Sequence, residues 1–343
     1  VSSGTAALHL ACMALGLGPG DRLWTSAITF VASANCGVYC GAEVDFVDID
    51  AATRNLSIDA LRNKLERAER EGCLPKVVVP VHFAGLSCDM AAIRELADQY
   101  GFRILEDASH ALGGEYQGEP VGTCRYSDMA VFSFHPVKNA TTGEGGVAVT
   151  NDLEMAKRMG RLRSHGITRD RDQMSREPDG AWYYEQVEIG YNYRMTDLQA
   201  ALGASQLQRL DSYIQARREG VERYADLFAD FPVVLPHETS EARSAWHLYT
   251  VELVGEDPFK IRRAVFDELR DRGWGVNVHY IPVPHQPYYA RSHQSTTVFP
   301  AAEAYYERAL TIPLFPLLTH EQQSAFAADF AKSLHDARIT GSA

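Results

Sequence analysis

The stretch FSFHPVKNATTGEGGVAVT, Phe132 to Thr150, decides how this chain is read. An apolar run leads into a proline, then Lys138, then a threonine- and glycine-rich loop, then a second apolar run. That order predicts strand, tight loop, strand. Behind Pro136 a lysine can be partly desolvated, which lowers its pKa and exposes a nucleophilic amine. An ordinary surface lysine in a loop is the plain alternative. What separates the two is the company that Lys138 keeps.

Upstream, helix-like and strand-like segments alternate at the spacing of βαβ units from residue 1 to about 205. RLWTSA (Arg22–Ala27), EVDFVDID (Glu43–Asp50), KVVVPVHFAG (Lys76–Gly85) and FRILEDASH (Phe102–His110) read as strands. The intervening LSIDALRNKLERAERE and DMAAIRELADQYG are amphipathic helices, the second ended by Gly101. Buried-type strands separated by helices predict a mostly parallel sheet covered on both faces, with ligands beyond the carboxyl ends of its strands. Downstream, RMTDLQAALGASQLQRLDSYIQARREGVERYADLF favours long helices. After it come strand-like HLYTVELV, a helix from Pro258 to Gly273, strand-like VNVHYIPV and two further helical segments. We expect an α/β chain of two packed domains: 1–205, a large domain, and 206–343, a linking helix with a smaller α+β domain.

Composition narrows the function classes. The 343 residues carry 33 Lys+Arg against 45 Asp+Glu, a formal charge of −12. That balance disfavours a nucleic-acid partner and leaves room for a local basic pocket holding one phosphate. The six cysteines are scattered through the first 124 residues with no CxxC pair and no matching Cys/His pair, so no metal site is expected. No apolar run reaches the roughly 18 residues of a spanning helix and no secretory signal opens the chain, which predicts a cytoplasmic protein without a membrane partner. Val1 stands inside what reads as a strand-to-helix junction, so an upstream segment is expected to be missing from this sequence.

Three further constellations surround Lys138. VSSGTAAL opens a helix whose terminal amides, with Ser3 or Thr5 hydroxyls, can hold a phosphate; a simple N-cap is the alternative. Neither GxxxxGK[ST] nor GxGxxG occurs, which argues against a P-loop or a dinucleotide fold. LEDASH sets Glu106, Asp107 and His110 at the carboxyl end of a strand, where an acid can bind a metal, a ribose or a protonated ring nitrogen, or cap a helix. His82, in a buried strand, reads as a hydrogen-bonded core histidine. Ser133 lies five residues before Lys138. An acid, a helix-terminal phosphate site, a hydroxyl and a desolvated lysine are the parts that a pyridoxal phosphate site requires. The glycines of TTGEGG are expected to allow close backbone approach beneath such a cofactor.

The chain resembles the DegT/DnrJ/EryC1/StrS aminotransferases through SSGTAAL, EDASHA, FSFHPVKNATTGEGG, RSHGITRD, GYNYRMTDLQAALG, HYIPVPHQPYY and IPLFP, from the first residues to about Pro316. The resemblance implies a PLP-dependent transferase with the aspartate aminotransferase type fold. It implies that Lys138 is the Schiff-base lysine and proton shuttle and that Asp107 pairs with the pyridine nitrogen. His110 would lie beside the ring, Thr5, Ala6 and Ser133 would hold the phosphate, and Phe30 would stack on the cofactor. Asn192 would reach the phosphate of a neighbouring subunit, making a homodimer part of the site.

Within the family the wording is most similar to the C4 aminotransferase of pseudaminic acid biosynthesis. That implies a UDP-linked 4-keto-6-deoxy-N-acetylhexosamine as acceptor and glutamate as donor. Amination at C3 of a dTDP-keto sugar and a non-catalytic regulatory role stay open as alternatives. A dehydratase of the same family, which carries histidine in place of the lysine, is disfavoured by Lys138.

Overall fold

The computed structural model describes residues 1–292 and 298–340. A six-stranded sheet is built from β1 (Arg22–Ser26), β2 (Glu43–Val47), β3 (Val77–Val79), β4 (Arg103–Asp107), β5 (Met129–Ser133) and β6 (Gly146–Val149), in the order β2-β1-β3-β4-β5-β6. All neighbours pair in parallel except β6, which runs antiparallel to β5 with Ser133 opposite Gly146. The central strands are buried along their length, as a sheet covered on both faces demands.

Helices α1 (Gly4–Ala14), α2 (Ala32–Tyr39), α3 (Ile58–Glu71) and α4 (Met90–Tyr100) connect or cover these strands. Their ends follow the local sequence. Ser57 caps α3 by accepting from Ala60 N–H, and Asp89 caps α4 from Ala92 N–H. Gly72 and Gly101 stop those two helices in the left-handed conformation. One apolar core joins α1 and α2 to one sheet face; a second, around Trp24, Leu61, Ile93 and Ile104, fills the other.

Beyond α5 (Leu153–Leu162), α6 (Asp197–Leu207) and α7 (Leu210–Leu227), a separate three-stranded antiparallel sheet pairs Val233–Val234, β7 (Tyr249–Leu253) and β8 (Ala309–Ile312). Helices α8 (Pro258–Asp271), α9 (Pro300–Arg308) and α10 (His320–Thr340) accompany it. Its core of Tyr224, Phe228, Tyr249, Phe326 and Phe330 is distinct from the other two. A buried ion pair, Arg54 Nε to Glu252 Oε1 at 2.8 Å, ties the loop after β2 to β7.

Two sequence expectations change here. The strand read over Lys76–Gly85 is ordered as strand only at Val77–Val79, with a 3-10 turn at Phe83–Gly85, because Pro80 cannot donate to the ladder. VNVHYIPV is not a strand: it holds a single bridge, Asn277 to Thr311, and the residues after it line the site. His82 is buried, its Nε2 2.7 Å from Glu106 Oε2, and its Nδ1 accepts from Cys88 N–H, as a core histidine should.

Candidate active site

The site lies at the carboxyl ends of β4 and β5. The neighbouring β6 must run backwards for the Phe132–Thr150 stretch to turn so tightly. Its turn is held by Lys138 N–H to His135 O at 2.9 Å and by Thr141 Oγ1 and Thr142 N–H, both donating to Phe134 O at 3.0 Å. The turn delivers Lys138 to a cavity of about 410 Å³ that Ser3, Thr5, Phe30, Asp107, His110, Ser133, His279 and Tyr280 also line.

Burial drives the Lys138 amine down to about 8, against the partial restoring pull of Asp107. That brings the amine nearer to the neutral form that a nucleophile needs than an ordinary lysine is. Asp107 is 5% exposed. Ser33 Oγ donates to its Oδ2 at 2.6 Å and Ser109 N–H to its Oδ1 at 3.1 Å, so the carboxylate is fixed in place and kept hydrogen-bonded.

Helix α1 points its N-terminus at the same space. Ser3 is the N-cap, and its Oγ accepts from Ala6 N–H at 3.0 Å, so that amide is engaged within the helix. Gly4 lies against Ser133, where an added Cβ would come within 2.9 Å of the serine Cβ. Gly146 lies against the Ser3–Gly4 backbone, with an added Cβ 2.6 Å from Ser3 C. The close approach expected of the TTGEGG glycines is, at Gly146, an approach to the start of α1, which lets strand end and helix terminus converge on one cavity.

His110 is buried and held neutral, first by desolvation and then by the charge of Lys138. Its Nδ1 accepts from Ala84 N–H at 3.3 Å, so the proton sits on Nε2, 3.3 Å from Tyr280 Oη. Burial likewise lowers His279 to about 4 and keeps the Tyr280 phenol protonated.

Thr5, Phe30, Asp107, His110, Ser133 and Lys138 are thus brought together, with Phe30 more than half exposed at the cavity wall. Asn192 is not: it bridges to Ser164 away from this space, in a segment where Trp182, Ile189 and Leu198 are exposed. Tyr280, His279, Asn277 and Ser33 received no role from the sequence. HYIPVPHQPYY gave the only signal for the first two, and Ser33 gave none. Among the described residues no group of three or more His, Cys, Asp or Glu could hold a metal ion, and no helix is long and apolar enough to cross a membrane.

The donor set fits pyridoxal phosphate: an amine and a fixed carboxylate share one cavity with a helix N-terminus and the Ser133 hydroxyl beside it. The sequence profile of the DegT/DnrJ/EryC1/StrS aminotransferase family matches residues 1–330. The spore coat polysaccharide biosynthesis protein SpsC of Bacillus subtilis is 40% identical over 324 residues, covering 94% of this chain and 81% of SpsC. Spr1654 of Streptococcus pneumoniae, described as a candidate sugar aminotransferase, superposes in its apo form with a TM-score of 0.88 at 32% identity, covering 100% of this chain and 87% of Spr1654. It is also known in PLP and PMP forms. Helicobacter pylori PseC, an aminotransferase of pseudaminic acid biosynthesis, superposes with a TM-score of 0.86 at 30% identity, covering 98% of this chain and 86% of PseC. This chain therefore belongs to the DegT/DnrJ/EryC1/StrS aminotransferase family, as a pyridoxal-phosphate-dependent sugar aminotransferase.

Proposed function

We propose that this enzyme moves an amino group from glutamate to the keto carbon of a nucleotide-linked 4-keto-6-deoxy sugar, a UDP-linked N-acetylhexosamine, in the cytoplasm. The observation that carries the reading is the Lys138 amine, lowered to about 8 and sharing its cavity with the fixed Asp107 carboxylate. Likeness to PseC and SpsC supports a sugar destined for a surface glycan.

Pyridoxal phosphate, when bound, supplies an electron sink that lets an amino group and a proton be exchanged at a substrate carbon. The residues of this chain do the rest. Lys138 Nζ would hold the cofactor aldehyde and, in each half-reaction, would move a proton between the substrate carbon and the cofactor carbon. Asp107, oriented by Ser33, would keep the ring nitrogen protonated. The start of α1, with Thr5, Ala6 and Ser133, would bind the phosphate, the Ala6 amide giving up its bond to Ser3 Oγ to do so. Its terminus and the Ser133 hydroxyl offer positive dipole and donors there. His110 Nε2–H can donate to an oxygen beside it without carrying charge. Phe30, at the mouth, would cover the ring.

Asn192 would act in the site of a second subunit. Trp182, Ile189 and Leu198, near it in sequence, are large apolar side chains left exposed, which burial in a homodimer would relieve. We place the division between a large PLP-binding domain and the C-terminal part near residue 205.

Two half-reactions on one site predict ping-pong kinetics. Borohydride treatment of the loaded protein should attach the cofactor covalently to Lys138, located by peptide mass spectrometry. Lys138→Ala should abolish that attachment and the amination of UDP-linked keto sugars by glutamate. Attachment elsewhere, or turnover retained in the variant, would overturn the assignment.

A further inference from the structure

A second cavity, of about 780 Å³, shares Val137, Lys138, Asn277, His279 and Tyr280 with the first. Arg217 from α7 and His247 line it as well. Arg217 is 5% exposed. Its Nη1 donates to the carbonyls of Trp246, His247 and Leu314 at 3.1, 3.2 and 2.9 Å. Its Nε is buried and makes no hydrogen bond, and no carboxylate pairs with it among the described residues. Burial alone lowers this guanidinium, to about 10, with no acid opposing the effect.

His247 is 6% exposed and its Nδ1 is buried without a partner. Its ring lies 4.6 Å from that of His110. The charged groups that act on it are Lys138, His110, Arg217 and His279, all of them bases. Two acids line the adjoining first cavity: Asp107, which acts on Lys138 and is already bonded to Ser33 and Ser109, and the exposed Glu144, 3.8 Å from His135. Two cations and four imidazoles thus surround adjoining spaces with two carboxylates, Asp107 committed to its serines and Glu144 exposed beside His135, and neither pairs with Arg217.

A buried cation is expensive unless a countercharge or a full set of hydrogen bonds replaces its water. Carbonyls crowded on one nitrogen of Arg217 leave the rest of its fork unmatched and supply no negative charge. A planar guanidinium is the natural partner of a carboxylate, which can take two parallel N–H bonds.

We propose that Arg217, with His247 beside it, forms a carboxylate subsite for the amino donor, next to the Lys138 amine. Lys138 lines both cavities, so a donor whose acid group met Arg217 would lie against that amine. The identity of the anion as an amino donor rests on the transaminase reading above.

The test uses glutarate, a dicarboxylate with neither an amino nor a keto group, titrated calorimetrically into the cofactor-loaded enzyme at low salt. Wild type should bind it saturably. Arg217→Met should weaken binding roughly ten- to hundredfold, the loss expected for a charge-assisted hydrogen-bonded pair. Arg217→Lys should restore little of it, because an ammonium offers no fork. Circular dichroism checks each variant; if Arg217→Met does not fold, Arg217→Lys and His247→Phe carry the comparison, both weaker than wild type. UDP alone should leave glutarate affinity unchanged.

Absence of saturable glutarate binding in wild type, or equal affinity in all folded variants, overturns the subsite. Displacement of glutarate by UDP with the same dependence on Arg217 assigns the cations to the nucleotide's phosphates instead. Borohydride capture at Lys138 without glutarate binding removes this subsite alone. Glutarate binding without capture removes the role of Lys138 alone.

Discussion

Replacing Lys138 by methionine should make the cofactor-free protein more stable at neutral pH. The amine falls from 10.5 to about 8 because the folded chain takes it out of water. At 1.36 kcal/mol for each tenfold change in acidity, that displacement corresponds to about 3 kcal/mol. The side chain keeps some contact with the open cavity, which returns part of the hydration, so we expect about 2 kcal/mol. The sign follows from proton counts. Below pH 8 both folded and unfolded chains carry the ammonium, and its burial opposes folding in full. Between about pH 8 and 10.5 the unfolded chain holds the proton that the folded one has shed, so wild-type stability rises with pH. Above that window both forms are neutral and the penalty is gone. Urea unfolding of apo wild type and Lys138→Met, at intervals from pH 6.5 to 10.5, should give curves separated by about 2 kcal/mol at pH 7 that converge at the alkaline end. A variant equal to or less stable than wild type at pH 7 would refute the claim that Lys138 is held against desolvation. A constant separation at all pH values would refute its electrostatic origin.

Other expected outcomes are as specific. Asp107→Asn removes the group that raises the Lys138 amine, so the pH at which borohydride capture reaches half its maximum should move to lower values; an unchanged profile would disconnect the two residues. Gly146→Ala drives a Cβ into the Ser3–Gly4 backbone and should cost about 1–3 kcal/mol in thermal unfolding, with weaker cofactor binding measured by fluorescence. Glu252→Gln leaves Arg54, 5% exposed, without its countercharge, and should destabilise by about 3–5 kcal/mol in the same urea assay; a loss below 1 kcal/mol would mean that the pair is hydrated.

Much of the fold was legible because it is written in local periodicity. Buried-type runs around Val77–Val79 and Met129–Ser133, and helices capped by Ser57 and Asp89 and closed by Gly72 and Gly101, need only neighbouring residues to be recognised. The strand ends at Pro80 and the irregular path of Asn277–Tyr280 were less legible, since both depend on which backbone groups find partners across the sheet.

The site divides in the same way. Lys138, Asp107, His110 and the start of α1 lie in contiguous stretches whose residue types already suggest a cofactor, and the sequence by itself determined them as candidates. Only the tertiary structure decided that Ser33 holds Asp107, that Ala84 fixes which nitrogen of His110 carries the proton, and that Tyr280 faces that proton. It also decided that Arg217 lines a cavity beside Lys138 without an acid to match it. These are relations between residues 26 to 170 positions apart. A pattern in the chain encodes burial and local hydrogen bonding; the field at one amine is set by whatever the fold brings within a few ångströms of it.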